Sequence, residues 1–372
     1  VKIKQRPEDF VVTERLADAS SNRGPYAIYR LRKRHLGTPE AVTLIARLWN
    51  LPKRRIGFAG LKDTHSASEQ FVSIRGGPPS GLKDRRFELE YVGRDERPVG
   101  PARLLGNAFA IVVRDLSEAE ATTFCAALKE IRAHGLPNYF DAQRFGSVID
   151  GRFVAQDLVE GRFEEAMKLV LASPTPDDSG RRRLVRETIR RRWGDWDAAM
   201  RELPRCGERG IVGFLRDHPR DFAGAFDRLD RFLRFLYLSA YQSHLWNEAL
   251  AAAVRETVAA DRRFDRRIGP GRWPFYRRLE PEERERLEPL RIPLPRPKLR
   301  KVRRAWFGKG ARPALVFPSG LSVAADEPDA LNGGRRAVAF ACEMPKGAYA
   351  TLIIRRCFGT WKRGRPTEDE AP

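Results

Sequence analysis

One acidic side chain, Asp63, sits in the run Gly57-Phe58-Ala59-Gly60-Leu61-Lys62-Asp63, followed by Thr64-His65-Ser66-Ala67-Ser68-Glu69-Gln70. Glycines precede it and apolar runs bracket it, the pattern of a turn carried by strands. A carboxylate on such a turn can be aimed into a cleft. In an arginine-rich chain the surrounding positive field favours its use as an ionised nucleophile or base. The glycines do not form a phosphate loop, because neither GxxxxGK[ST] nor GxGxxG is complete. The five histidines (His35, His65, His134, His218, His244) are scattered, and only His65 lies near Asp63. The four cysteines (Cys125, Cys206, Cys342, Cys357) contain no CxxC pair. A zinc site, a disulfide framework, a local histidine triad and metal-assisted phosphodiester cleavage all lack their residues. No metal and no cofactor are expected.

The chain carries 70 Lys and Arg against 49 Asp and Glu, a net charge of +21. That balance suits a polyanion, with nucleic acid first. No apolar run approaches the roughly 20 residues of a spanning helix and no lipidation signature appears, so a membrane partner is not expected. Val1-Lys2-Ile3-Lys4-Gln5-Arg6 lacks the apolar core of a signal peptide, and the expected location is cytoplasmic. At 372 residues and 42% hydrophobic content, two domains are favoured over one. No period of 20 to 50 residues repeats.

The elements that must position Asp63 come from the first 150 residues. Phe10–Glu14, Tyr26–Leu31, Ile56–Ala59, Gln70–Ile74, Arg86–Tyr91 and Phe109–Val113 read as strands. Thr38-Pro39-Glu40 opens a helix, with Thr38 as cap and Val42, Ile45, Ala46 and Trp49 as its apolar stripe. Ser117-Glu118-Ala119-Glu120 is a capping box, and its helix is predicted to stop at Gly135. From about 151 to 305 the composition turns helical and basic. The run Arg181 to Trp193 holds seven arginines against one glutamate and reads as an RNA-contacting helix. Pro293-Leu294-Pro295-Arg296-Pro297 marks a boundary, followed by basic residues up to Trp306 and Phe307. Ala337–Cys342 and Ala348–Ile354 return to strand composition. The expected organisation is a first domain part at 1–150, an inserted helical domain at 151–305 and a closing part at 306–372. Whether the helix over 239–256 packs on the first domain is left open.

These motifs together resemble the TruD family of RNA pseudouridine synthases. The resemblance runs through Lys4-Gln5-Arg6-Pro7-Glu8-Asp9-Phe10-Val11-Val12-Thr13-Glu14, the Gly57 to Gln70 segment, and Gly106-Asn107-Ala108-Phe109. It continues through Gly135-Leu136-Pro137-Asn138-Tyr139-Phe140-Asp141-Ala142-Gln143-Arg144-Phe145-Gly146, Leu238 to Asn247, and Met344 to Thr351. Ser66, Ser68 and Asp141 depart from the family pattern by small polar or turn-compatible changes. The resemblance implies an α+β fold: a catalytic domain on a mixed, mainly antiparallel sheet, interrupted by a largely helical insertion. It implies Asp63 as the catalytic aspartate, Phe10 and Asn107 in a uridine pocket, and Tyr349 as an aromatic over the base. It also implies tRNA as substrate, with uridine 13 as target.

Supporting roles are expected for Lys62, Lys4 or Arg6, as counter-charges to Asp63 or contacts to a flanking phosphate. Asn138, Gln143 and Arg144 are expected as a hydrogen-bonded scaffold or as substrate contacts. The target uridine must be flipped out of its stack, and aromatic contact offsets that cost. Asn107 can read the imide edge because its amide both donates and accepts. Attack by Asp63 at C1′, attack at C6 and removal of the ribose 2′ proton all remain open. A monomer is the default. The competing reading is a non-catalytic RNA-binding protein or RNA chaperone that keeps the fold.

Overall fold

The computed structural model describes residues 1–17, 22–175 and 178–363. Its contacts divide the chain into two compact units: Val1–Asn138, Phe275–Arg284 and Leu315 onward form the first, Tyr139–Pro274 and Glu285–Ala314 the second. The first change falls at Asn138, ahead of the residue 150 that composition suggests, and the helix over 239–256 lies within the second unit.

The first unit is built on a mixed, mainly antiparallel sheet, the α+β class expected from the sequence. Its principal strands are β1 (Phe10–Leu16), β2 (Tyr26–Lys33), β3 (Ile56–Phe58), β4 (Ala67–Arg75), β5 (Phe87–Asp95), β6 (Leu104–Leu116), β7 (Ser319–Pro328) and β8 (Arg336–Pro345). They lie in the order β7-β8-β6-β1-β4-β2-β5, with β3 paired to β4. β1 and β4 run parallel, while the other pairs among these strands are antiparallel.

Strand alternation sorts the side chains onto two faces. Register sets Leu31 beside Gln70, Val12 beside both Ser68 and Phe109, Phe10 beside Ile111, and Asn107 between Glu14 and Met344. These residues share one face, and two helices cover its flanks. Thr38–Leu48 packs Val42, Ile45 and Ala46 against Tyr29, Leu31, Val72 and Ile74. Glu118–His134 sets Phe124 edge-on to Phe340, ring centroids 5.7 Å apart. Each fully buried large apolar side chain stabilises by about 1.5–3 kcal/mol. The opposite face carries ion pairs instead, Arg30 and Arg32 reaching Glu69 and Glu90.

The capping box forms as expected. Ser117 Oγ accepts from Glu120 N–H at 3.2 Å, Glu120 returns to Ser117 N–H at 2.7 Å, and the helix ends at Gly135 with φ +69°. Two local expectations are corrected. Gly37, not Thr38, caps the first helix, and the Thr38 hydroxyl is engaged elsewhere. Residues 351–354, expected in a strand, begin the helix Thr351–Phe358, whose Leu352, Ile353 and Ile354 are buried.

The second unit is largely helical. Phe163–Ala172, Gly180–Arg191, Trp196–Glu202, Glu208–Asp217 and Arg231–Thr257 enclose a core that includes Met167, Val185, Ile189, Trp196, Val212, Leu215 and Phe226. The arginines of Gly180–Arg191 are less available than their sequence suggests. Arg182 and Arg186 face Asp178, Arg181 donates to the Arg205 carbonyl, and Arg191 and Arg192 pair with Glu202. The counter-charges come from Asp178, just ahead of the helix, and from Glu202 at the end of the helix Trp196–Glu202.

Candidate active site

Asp63 sits in the loop between β3 and β4, half-buried. Its Oδ2 pairs with Lys4 Nζ, and its Oδ1 accepts from His65 N–H at 3.2 Å. The Lys4 backbone is left-handed, φ +56°, a conformation uncommon outside glycine and frequent at functional positions. From there its ammonium lies over the Phe10 ring, 4.3 Å from the centroid. Phe10 in turn meets Phe109 edge-on, centroids 6.0 Å apart. Lys4, Asp63 and Phe10 are thus brought together.

The loop is fixed from beneath through its backbone. Thr38 Oγ1 accepts from Lys62 N–H at 2.9 Å and donates to Gln70 Oε1 at 2.8 Å, and Gln70 Nε2 reaches the Gly60 carbonyl. The Asp63 carbonyl accepts from Ser66 Oγ at 3.0 Å and from Lys33 Nζ at 3.4 Å. Lys33 is buried, and burial lowers its pKa to about 8 despite the nearby Asp63 charge. Lys62 is not a partner of the Asp63 carboxylate. Its Nζ donates to Glu14 Oε1 at 2.8 Å, while Glu14 Oε2 accepts from Phe71 N–H at 3.0 Å. Buried in this way, it is not exposed to a substrate phosphate.

Asn107 lies on β6 opposite Glu14 and Met344. Its Oδ1 is buried and accepts no hydrogen bond among the described residues. A buried acceptor without a donor costs about 1–3 kcal/mol. Gly106 beside it admits no side chain, since a Cβ there would fall 2.3 Å from the Met344 carbonyl oxygen. Tyr349 is half-buried in the loop after β8, where its carbonyl accepts from Leu352 N–H at 3.1 Å. Asn138 is buried at the end of the first unit, whereas Gln143 and Arg144 belong to the second. There Arg144 Nε donates to Ser243 Oγ at 3.2 Å, and its guanidinium lies 5.6 Å from the centroids of both Phe140 and Phe235.

Glu14, Lys33, Thr38 and Gln70 escaped the sequence reading as parts of the site. Their signal was weak, because they lie on separate segments of the chain and meet only through the fold. The Leu238 to Asn247 motif also acquires a physical account within the second unit. Asn247 accepts from Phe140 N–H at 2.8 Å and donates to its carbonyl at 3.0 Å, and Trp246 Nε1 donates to the Ile292 carbonyl at 3.0 Å. Among the described residues, no cluster of three or more His, Cys, Asp or Glu is placed to hold a metal, and no helix is long and apolar enough to cross a membrane.

Comparison with known proteins identifies the family. The family model described as tRNA pseudouridine synthase D (TruD) matches residues 1–266. A Methanococcus maripaludis protein named "Probable tRNA pseudouridine synthase D 1" is 30% identical, the match covering 96% of this chain and 99% of that one. The tRNA pseudouridine synthase D of Aquifex aeolicus is 29% identical over 96% of this chain and 98% of its own length. A solved TruD structure from Methanosarcina mazei superposes with a TM-score of 0.68 at 25% identity, covering 97% of this chain and 94% of that one. With the family matched over most of its length, the chain belongs to the TruD family and is an RNA pseudouridine synthase.

Proposed function

We propose that this enzyme isomerises a uridine of tRNA to pseudouridine, at position 13, with Asp63 as nucleophile or base on a flipped-out base. The observation that carries the reading is the grouping of Asp63, Lys4 and Phe10 around one end of a sheet face that also bears Asn107 with its unengaged Oδ1. The reaction breaks the N1–C1′ bond and forms C5–C1′. N1 gains a proton and C5 loses one, so the change is balanced within the uridine. The Lys4 ammonium offsets the carboxylate charge and aims it. Phe10 and Tyr349 supply aromatic surface to the extruded uracil, where each stacked base gains about 1–3 kcal/mol. Asn107 Oδ1 accepts the uracil N3–H, and its amide N–H donates to O4.

The catalytic role falls to the sheet-bearing first unit, and the largely helical second unit adds RNA contact. The enzyme acts as a monomer in the cytoplasm. Pseudouridine mapping on total tRNA from a host without the activity, expressing either the intact protein or Asp63→Asn, tests the proposal. A new pseudouridine at position 13 that needs Asp63 supports it. Modification by Asp63→Asn overturns the catalytic assignment, and tight RNA binding without any modification favours a binding protein.

A further inference from the structure

The segment from Lys298 to Lys309 in the second unit holds no helix or strand, yet it is fastened along its length. Asp227, closing the helix Phe222–Asp227, accepts the Arg303 N–H on Oδ2 and the Arg304 N–H on Oδ1, both at 2.8 Å. A left-handed turn at Lys301, φ +63°, precedes Val302, which joins Phe307 in the helical core. Gln242 brackets the ends: its Nε2 donates to the Pro295 carbonyl at 2.7 Å and the Gly308 carbonyl at 2.9 Å, and its Oε1 accepts from Gly308 N–H at 3.2 Å.

These fastenings use backbone groups and apolar side chains. They leave Trp306 outward, 68% exposed, with exposed Arg300, Arg303, Arg304 and Lys309 within six residues of it along the strap. In the helix Gly180–Arg191, Arg182, Arg186 and Arg191 meet carboxylates, whereas among the described residues no carboxylate pairs with the Arg303 or Arg304 side chain. A rigid, exposed indole flanked by cations matches the chemistry of single-stranded nucleic acid: an aromatic face for a base and cations for its phosphates.

We propose that this strap is a stacking platform for an unpaired nucleotide of the substrate RNA, with one base on Trp306 and its flanking phosphates held by Arg303 and Arg304. The proposal rests on the RNA reading and extends it to a site apart from the reacting uridine. A duplex offers no open base face along its length, so the platform selects loops and unpaired ends.

The test uses the intact protein with a tRNA transcript, a single-stranded oligonucleotide and a duplex of equal length. Trp306→Ala is expected to weaken tRNA and single-strand binding about 5- to 150-fold, with little change for the duplex, while Trp306→Phe keeps most of the affinity. Arg303→Ala with Arg304→Ala is expected to lower the slope of log affinity against log salt by roughly 1.5. The single-turnover rate at saturating enzyme should stay at the wild-type value. Trp306→Ala binding within twofold of wild type, or equal losses for single strand and duplex, would overturn the platform. That failure is separable from failure of the catalytic reading, because wild-type modification of tRNA and its loss in Asp63→Asn are scored independently.

Discussion

Lys62 Nζ and Glu14 Oε1 lie 2.8 Å apart with side chains 6% and 0% exposed, so the lysine next to Asp63 is locked into the sheet rather than offered to substrate. An ion pair this deep is costly to assemble and costlier to break, since removing one partner strands the other. Glu14→Ala is therefore expected to destabilise the protein by about 3–5 kcal/mol in urea unfolding. Glu14→Met combined with Lys62→Met should recover most of that. Equal losses in the single and double variants would show that the stranded charge is not the cause.

The contact between Lys4 and Asp63 leads to a kinetic expectation. Lys4→Gln keeps most of the packing on Phe10 but removes the cation facing the carboxylate. The single-turnover rate should fall on the order of 10²-fold, as for loss of one electrostatic partner in an active site, with RNA affinity changed far less. A parallel fall in affinity with an unchanged rate would make Lys4 a phosphate contact instead.

Lys33 gives the protein a pH signature. Its folded pKa of about 8 lies below the usual 10.5 because burial penalises the ammonium. Below pH 8 both folded and unfolded states hold the proton, and the fold bears the whole desolvation cost. Between pH 8 and 10.5 the unfolded chain binds more protons, so this term makes stability rise with pH and then level off. The rise should be a few kcal/mol at most, at about 1.4 kcal/mol per pKa unit. Unfolding measured across that window should show a difference between wild type and Lys33→Met that grows in favour of wild type with pH. A difference independent of pH would remove Lys33 from the account.

Asn107 and Gly106 predict a steric effect. Gly106→Ala places a methyl against the Met344 carbonyl and pushes β6 from β8 where Asn107 is held. A stability loss of about 1–3 kcal/mol is expected, with a larger fractional loss of activity than of RNA binding. Wild-type activity in this variant would free Asn107 from any need for that register.

What the sequence made legible was local. Ser117 and Glu120 satisfy each other three residues apart, and Gly135 ends their helix by its own backbone preference, so no distant partner was needed to read them. Leu352, Ile353 and Ile354 misled because a short apolar run has the same composition in a buried helix as in a strand. Thr38 misled for a different reason: its hydroxyl could cap a helix, but Lys62 N–H and Gln70 engage it across the fold. Asp63, Phe10 and Asn107 were named as candidates through motif resemblance, whereas Lys33, Glu14 and Gln70 act beneath the Asp63 loop through contacts that no local spacing encodes.

The pairing of β6 with β8 also sets an order of events during synthesis. β6 carries Asn107 and leaves the ribosome early, but the strand that closes its second edge is Arg336–Pro345, made after the whole helical unit. Until then one edge of β6 stays open to wrong partners, and the half-made sheet is the stage at which a nascent chain is most exposed to aggregation. Chaperone dependence and translation pauses should therefore matter most in the interval between the emergence of Leu116 and that of Pro345, long after the Asp63 loop has been made.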